Sequence, residues 1–146
     1  MDPASSASAG YSGTPLPKKL GIKPGHRVRF DHAPPGFAAA LGELPPDVAV
    51  LADGEEADGL DLVVFFTTAA DDLRAAYARL ARAISPAGML WVAWPKKASR
   101  VPTDLTEDVV RAVALENGMV DTKVCAIDAT WSGLRLVYRL EDRPPR

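Results

Sequence analysis

Two stretches of this chain, LDLVVFF (Leu60–Phe66) and MLWVAW (Met89–Trp94), are nearly continuous in apolar residues. A strand with one face in water alternates apolar and polar side chains. A strand that is apolar at almost every position must be covered on both faces. Two such strands therefore need a sheet with helices on either side. The chain between them supplies one helix: Leu73, Tyr77, Leu80 and Ile84 recur at the spacing of a buried helical stripe, and Asp71 or Asp72 stands where it can cap the N-terminus. SPAG ends the helix. A strand, a helix and a second buried strand form a βαβ unit, and the strands of such a unit are parallel.

The rest of the chain extends that unit. HRVRF alternates and predicts a first strand, Arg27–Asp31, with Val28 and Phe30 as its apolar residues. FAAALGEL places Phe37, Leu41 and Leu44 on one face of a short helix, stopped by Pro45–Pro46. DVAVLAD predicts a second strand, Val48–Ala52, and PLPKKLGIKPG a helical turn ended by Gly21. In TDLTEDVVRAVALENG, Asp104 and Glu107 have capping-box spacing, Leu105, Val109 and Val113 share a face, and Gly118 follows the helix end. Two strand-like runs then flank Ser132–Gly133, which reads as the turn of a β-hairpin. In that register Asp128 faces Val137 and has Arg135 and Arg139 as diagonal neighbours, within reach of an ion pair.

This order of elements predicts an α/β fold: a Rossmann-like three-layer sandwich whose largely parallel sheet ends in a C-terminal antiparallel β-hairpin. It forms a single domain over residues 14–142. Residues 1–13, small, polar and rich in Gly, Ser and Ala, are expected to be a disordered N-terminal tail, and 143–146 a C-terminal tail.

Composition narrows the function. The one cysteine, Cys125, allows no internal disulfide and no cysteine-rich zinc site, and with two histidines no metal site is expected. The formal net charge of -2 gives no overall positive field for nucleic acid. A basic N-terminal patch (PLPKK, Lys23, His26, Arg27, Arg29) is offset by the acidic DGEEADGLD and lacks the interleaved aromatics of a nucleic-acid stripe, so nucleic acid is not expected as a partner. No apolar run approaches the ~20 residues of a membrane span, and the N-terminus lacks the basic start and apolar stretch of a signal peptide, so a cytoplasmic location is expected.

The phrases TPLPKKLGIKPG, LWVAWPKKAS, TDLTEDVVR and DTKVCAIDATWSGLRLVYR resemble the bacterial, mainly actinobacterial, domain-of-unknown-function family 3052, over about Tyr11 to Glu141. That resemblance implies no established activity. The order of elements is also similar to the class I S-adenosylmethionine methyltransferase core with some elements missing. LVVFFTT would match its fourth strand, SPAGMLWVAWP its fifth, and Asp53 the acid that binds ribose hydroxyls at the end of the second strand. The sequence departs from that family at the turn after the first strand. The family has a glycine-rich turn there; this chain has DHAPPGF, in which Pro34 and Pro35 carry no N–H. No cofactor is therefore expected.

Ligands of open α/β sheets bind outside the carboxyl ends of the strands. Here those ends hold His32, Thr67, Thr68, Lys96, Lys97 and Ser99, the candidate contacts for an anion or a partner. Lysines after a strand are more often simply solvated. Trp91 reads as core, Trp94 and Trp131 as strand-end aromatics, and Cys125 as an inert thiol. No catalytic residue can be named, since His32 has no assigned partner and no nucleophile–base spacing exists. The reading leans against an enzyme and toward a non-catalytic interaction or regulatory protein on a degenerate methyltransferase-like fold. Its partner would be an unidentified protein; the alternative is a binder of, or enzyme acting on, a small anionic ligand at the strand ends.

Overall fold

The computed structural model describes residues 13–142; the tails expected at 1–13 and 143–146 lie outside the described residues, save Gly13. The elements are α1 (Leu16–Leu20), β1 (Arg27–Asp31), α2 (Phe37–Leu41), β2 (Ala49–Leu51), β3 (Leu60–Phe66), α3 (Ala70–Ala83), β4 (Ile84–Pro95), α4 (Glu107–Glu116), β5 (Met119–Ala126) and β6 (Trp131–Tyr138). They form one six-stranded sheet in the order β2-β1-β3-β4-β6-β5. β1 to β4 are mutually parallel, and β6 runs antiparallel to both β4 and β5. This is the expected three-layer sandwich with its closing hairpin.

The apolar runs of β3 and β4 have the expected cause. Val63 and Phe65 point into the core under α3 and α4, beside Leu73, Tyr77, Val110 and Val113. Leu62 and Val64 point the other way, into the core under α1 and α2 with Leu20 and Phe37. Each such side chain contributes roughly 1.5–3 kcal/mol by leaving water. Trp91, fully buried, ties α1 to the sheet: its indole N–H donates to the Leu20 carbonyl at 2.9 Å. That bond satisfies one of the carbonyls left open at a helix C-terminus.

Local spacing misassigns three features. Ile84 belongs to β4 and not to α3: it pairs with Leu60, whereas Met89 pairs with Leu62. The extra residues between them form a bulge in which Gly88 is required, because a Cβ there would lie 2.9 Å from the Leu60 carbonyl oxygen.

Neither helix cap is the expected one. Neither Asp71 nor Asp72 caps α3; they lie in its first turn, where they favour the helix dipole. The Ala70 N–H instead donates to the Asp104 carboxylate at 2.8 Å. Asp104 is thus not part of a capping box on α4, whose cap is Thr106, accepting the Val109 N–H at 3.2 Å. The donor on α3 and its acceptor ahead of α4 are brought together by packing across 34 residues, which short-range spacing cannot register.

The hairpin turn is at 127–130, not at Ser132–Gly133. Ala126 pairs with Ser132, and Gly133 lies inside β6 between Cys125 and Ala93. Asp128 sits in the turn and makes no ion pair with Arg135 or Arg139. Its carboxylate accepts the N–H groups of Thr130 and Trp131, each at 2.8 Å. A short acid turned onto the backbone two residues on is turn chemistry, and it was the signal for the true turn. Arg135 donates to the Thr122 hydroxyl at 2.8 Å.

Candidate functional site

β1, β3 and β4 end at Asp31, Phe66 and Pro95, so one edge of the sheet carries all six candidate residues. His32 is exposed and held in the left-handed region at φ 60°, with its ring 5.2 Å from that of Phe65. Thr67 is buried, and its hydroxyl accepts the Ala69 N–H at 3.3 Å. Thr68 is exposed, and its carbonyl accepts the Thr103 hydroxyl at 2.6 Å.

The lysines sit in a built turn. The Lys96 N–H donates to the Thr130 carbonyl at 2.7 Å, so the chain leaves β4 anchored to the hairpin. Residues Lys97–Ser99 then form a single 3-10 turn, after which Arg100 takes φ 64°. The Ser99 hydroxyl closes it, donating to the Lys96 carbonyl at 2.6 Å and accepting the Val101 N–H at 3.2 Å. Lys96 is half-buried, while Lys97 and Arg100 are exposed. Among the described residues none of the three cations is in an ion pair. Ser99 and Thr67 thus have backbone duties, and the turn presents Lys96, Lys97 and Arg100. Arg100 was missed, although it directly follows Ser99 in the sequence.

Arg29 was also misplaced. It is not part of an exposed basic patch: it is 2% exposed and its Nε donates to both Asp31 carboxylate oxygens at 2.8 and 2.9 Å. Its Nη1 donates to the Glu55 carbonyl at 2.8 Å, and Asp31 accepts the Gly54 N–H at 2.9 Å. The i, i+2 spacing that puts Arg29 and Asp31 on one strand face was the legible signal. Asp53 completes the stitching, its carboxylate accepting the His32 N–H at 2.8 Å. Both acids near the end of β1 are therefore bound to the chain's own groups.

A cavity of about 550 Å³ and another of about 460 Å³ are lined by described residues, and neither lining includes any of the six candidates. Among the described residues no cluster of His, Cys, Asp and Glu could hold a metal ion. No described helix is long and apolar enough to cross a membrane.

Comparison with known proteins gives a family and a fold. A family described as "Protein of unknown function (DUF3052)" matches residues 46–140, so the N-terminal phrase at 14–25 falls outside the match. No curated protein matches. Among solved structures, a SAM dependent methyltransferase from Aquifex aeolicus superposes with a TM-score of 0.60 at 17% identity, over 83% of this chain and 86% of its own. A TehB-like SAM-dependent methyltransferase from Corynebacterium glutamicum gives 0.55 at 12% identity, over 85% of each chain. Magnesium protoporphyrin IX methyltransferase from Synechocystis with bound SAH gives 0.52 at 10% identity, over 85% of this chain and 78% of that one. At these identities the likeness is one of fold.

Proposed function

Since this chain belongs to the DUF3052 family and folds like a class I methyltransferase, we propose that it is a non-catalytic interaction or regulatory protein whose contact surface is the carboxyl edge of its sheet. The observation that carries this reading is the Asp53–His32 hydrogen bond at 2.8 Å. Asp53 stands where the resembled enzymes hold the cofactor's ribose, yet its carboxylate is engaged by the backbone of the turn after β1. In the same turn Pro34 and Pro35 offer no N–H where a cofactor would need donors. Asp31 is held by Arg29 and Gly54. These residues do not fit S-adenosylmethionine.

Calorimetric titration with S-adenosylmethionine and S-adenosylhomocysteine is the test. No saturable heat is expected for either. Saturable binding at about micromolar Kd, which corresponds to roughly -8 kcal/mol, would overturn the reading.

The contact surface is carried by Lys96, Lys97 and Arg100, three cations on one turn without acidic partners among the described residues. Such a turn favours an acidic surface of a protein partner, or a small anionic ligand as the second reading. The double variant Lys96→Ala/Lys97→Ala is expected to change stability by no more than about 0.5 kcal/mol per site, since the bonds that build the turn are made by backbone and Ser99. The same variant is expected to lose the anionic partner, and wild-type binding is expected to weaken with salt. A large fall in melting temperature would make the lysines structural. A rise in melting temperature with one member of a panel of nucleotides and phosphosugars that is lost in Lys96→Ala/Lys97→Ala would favour the small-ligand reading.

A further inference from the structure

The smaller cavity, of about 460 Å³, lies between α1 and the edge strand β5, and shares no residue with the Lys96–Arg100 turn. Its volume is within the ordinary range of small-molecule sites. Lys18, Lys19 and Lys123 line it together with Thr14 and Cys125, and among the described residues no carboxylate does. Two of the ammonium groups are fixed across the groove. Lys19 reaches from the helix to the Ala126 carbonyl at 3.1 Å, and Lys123 from the strand to the Lys19 carbonyl at 3.2 Å. An ammonium has three donors, so each of these two keeps two after that bond. Among the described residues none of the three lysines is in an ion pair.

A helix C-terminus explains a cation near the end of α1, and protection of an open strand edge explains one on β5. Neither explains three cations lining one cavity with no counter-charge among the described residues. The charged groups that act on Cys125 are likewise all cations, Lys19, Lys123 and Arg135; they oppose the burial that pushes its thiol up. We propose that this groove binds a small phosphate-bearing molecule through Lys18, Lys19 and Lys123. Lysine acts on phosphate as a point charge, and a multiply charged tetrahedral anion can accept from several ammonium groups at once. A planar carboxylate is matched better by an arginine fork, which the lining lacks. The site is independent of the reading of the carboxyl edge.

Cys125 lines the cavity and reports on it. The test measures the rate at which the full chain is alkylated by N-ethylmaleimide while inorganic pyrophosphate is added. A saturable slowing of at least about threefold is expected at millimolar or lower concentration, unmatched by sodium chloride at equal ionic strength or by citrate at equal charge. Lys96→Ala/Lys97→Ala is expected to keep the protection, and Lys18→Ala/Lys19→Ala/Lys123→Ala to lose it. Should the triple variant fail to fold, Lys18→Ala serves in its place, with an apparent affinity for pyrophosphate expected to fall by about fivefold. Equal slowing by sodium chloride or citrate overturns the proposal, as does no slowing at all. So does protection that survives the triple variant, or an affinity unchanged in Lys18→Ala.

Discussion

Asp31→Ala is expected to destabilise the domain by about 3–5 kcal/mol, the usual consequence of leaving a buried ion without its partner. Arg29 is 2% exposed, and its Nε holds both oxygens of the lost carboxylate. The Gly54 N–H would lose its acceptor in the same step. For a domain of this size the loss corresponds to a fall of roughly 10–20 °C in melting temperature. The double variant Arg29→Met/Asp31→Leu removes both charges and is expected to recover at least half of the loss, since Gly54 and Glu55 are exposed and water can replace their partners. Urea unfolding of the three proteins measures both effects. A loss under about 1 kcal/mol in Asp31→Ala would mean that the pair is solvated.

Gly133→Val is expected to cost about 3 kcal/mol, at the upper end of the usual range for overpacking a core. A Cβ at this position would lie 3.0 Å from Trp91 Cε3 and 3.0 Å from Ile127 Cδ1. Trp91 cannot easily retreat, because it is fully buried and its indole is bonded to the Leu20 carbonyl. Gly133→Ala is expected to show a smaller loss of about 1–2 kcal/mol by the same contact. The prediction separates a strand glycine from a turn glycine, since a turn at Ser132–Gly133 would accept alanine without meeting Trp91. The measurement is the denaturant midpoint at unchanged m. A midpoint for Gly133→Ala equal to that of the wild type would place the glycine away from the close contact.

These two sites are also where reading the sequence was least successful, for one reason. Alternation in HRVRF identifies Val28 and Phe30 as apolar, but it carries no information on whether the polar residues between them meet water or α3. Arg29 is buried because the loop after β2 folds over it and offers the Glu55 carbonyl. Ser132–Gly133 has the composition of a hairpin turn, yet β6 needs a residue without a side chain where Trp91 and Ile127 close on it. The real turn carried its own signal in Asp128, whose carboxylate the sequence reading had assigned to a diagonal ion pair with Arg135 and Arg139.

The candidate site divides in the same way. Its six residues could be placed on one edge from the sequence, because in a parallel sheet chain order alone decides which strand ends share an edge. What each can do there depended on contacts between distant segments. The Thr68 carbonyl accepts from Thr103, Lys96 is anchored to Thr130, and Asp53 is bonded 21 residues back to His32.

The sequence by itself determined the architecture of this protein. Burial on both faces demands the unbroken apolar runs of β3 and β4, a helical stripe demands Leu73, Tyr77 and Leu80, and the intervals between them force parallel strands and a closing hairpin. Only the tertiary structure decided the partners of the polar groups. Asp104 goes to the N-terminus of α3, Asp53 to His32, Arg29 to the Glu55 carbonyl, and Lys19 and Lys123 to each other's element. The physical reason is that apolar burial is non-directional and leaves a periodic trace in each segment. A hydrogen bond needs one donor and one acceptor about 3 Å apart, and which two meet is settled only when the segments carrying them have packed.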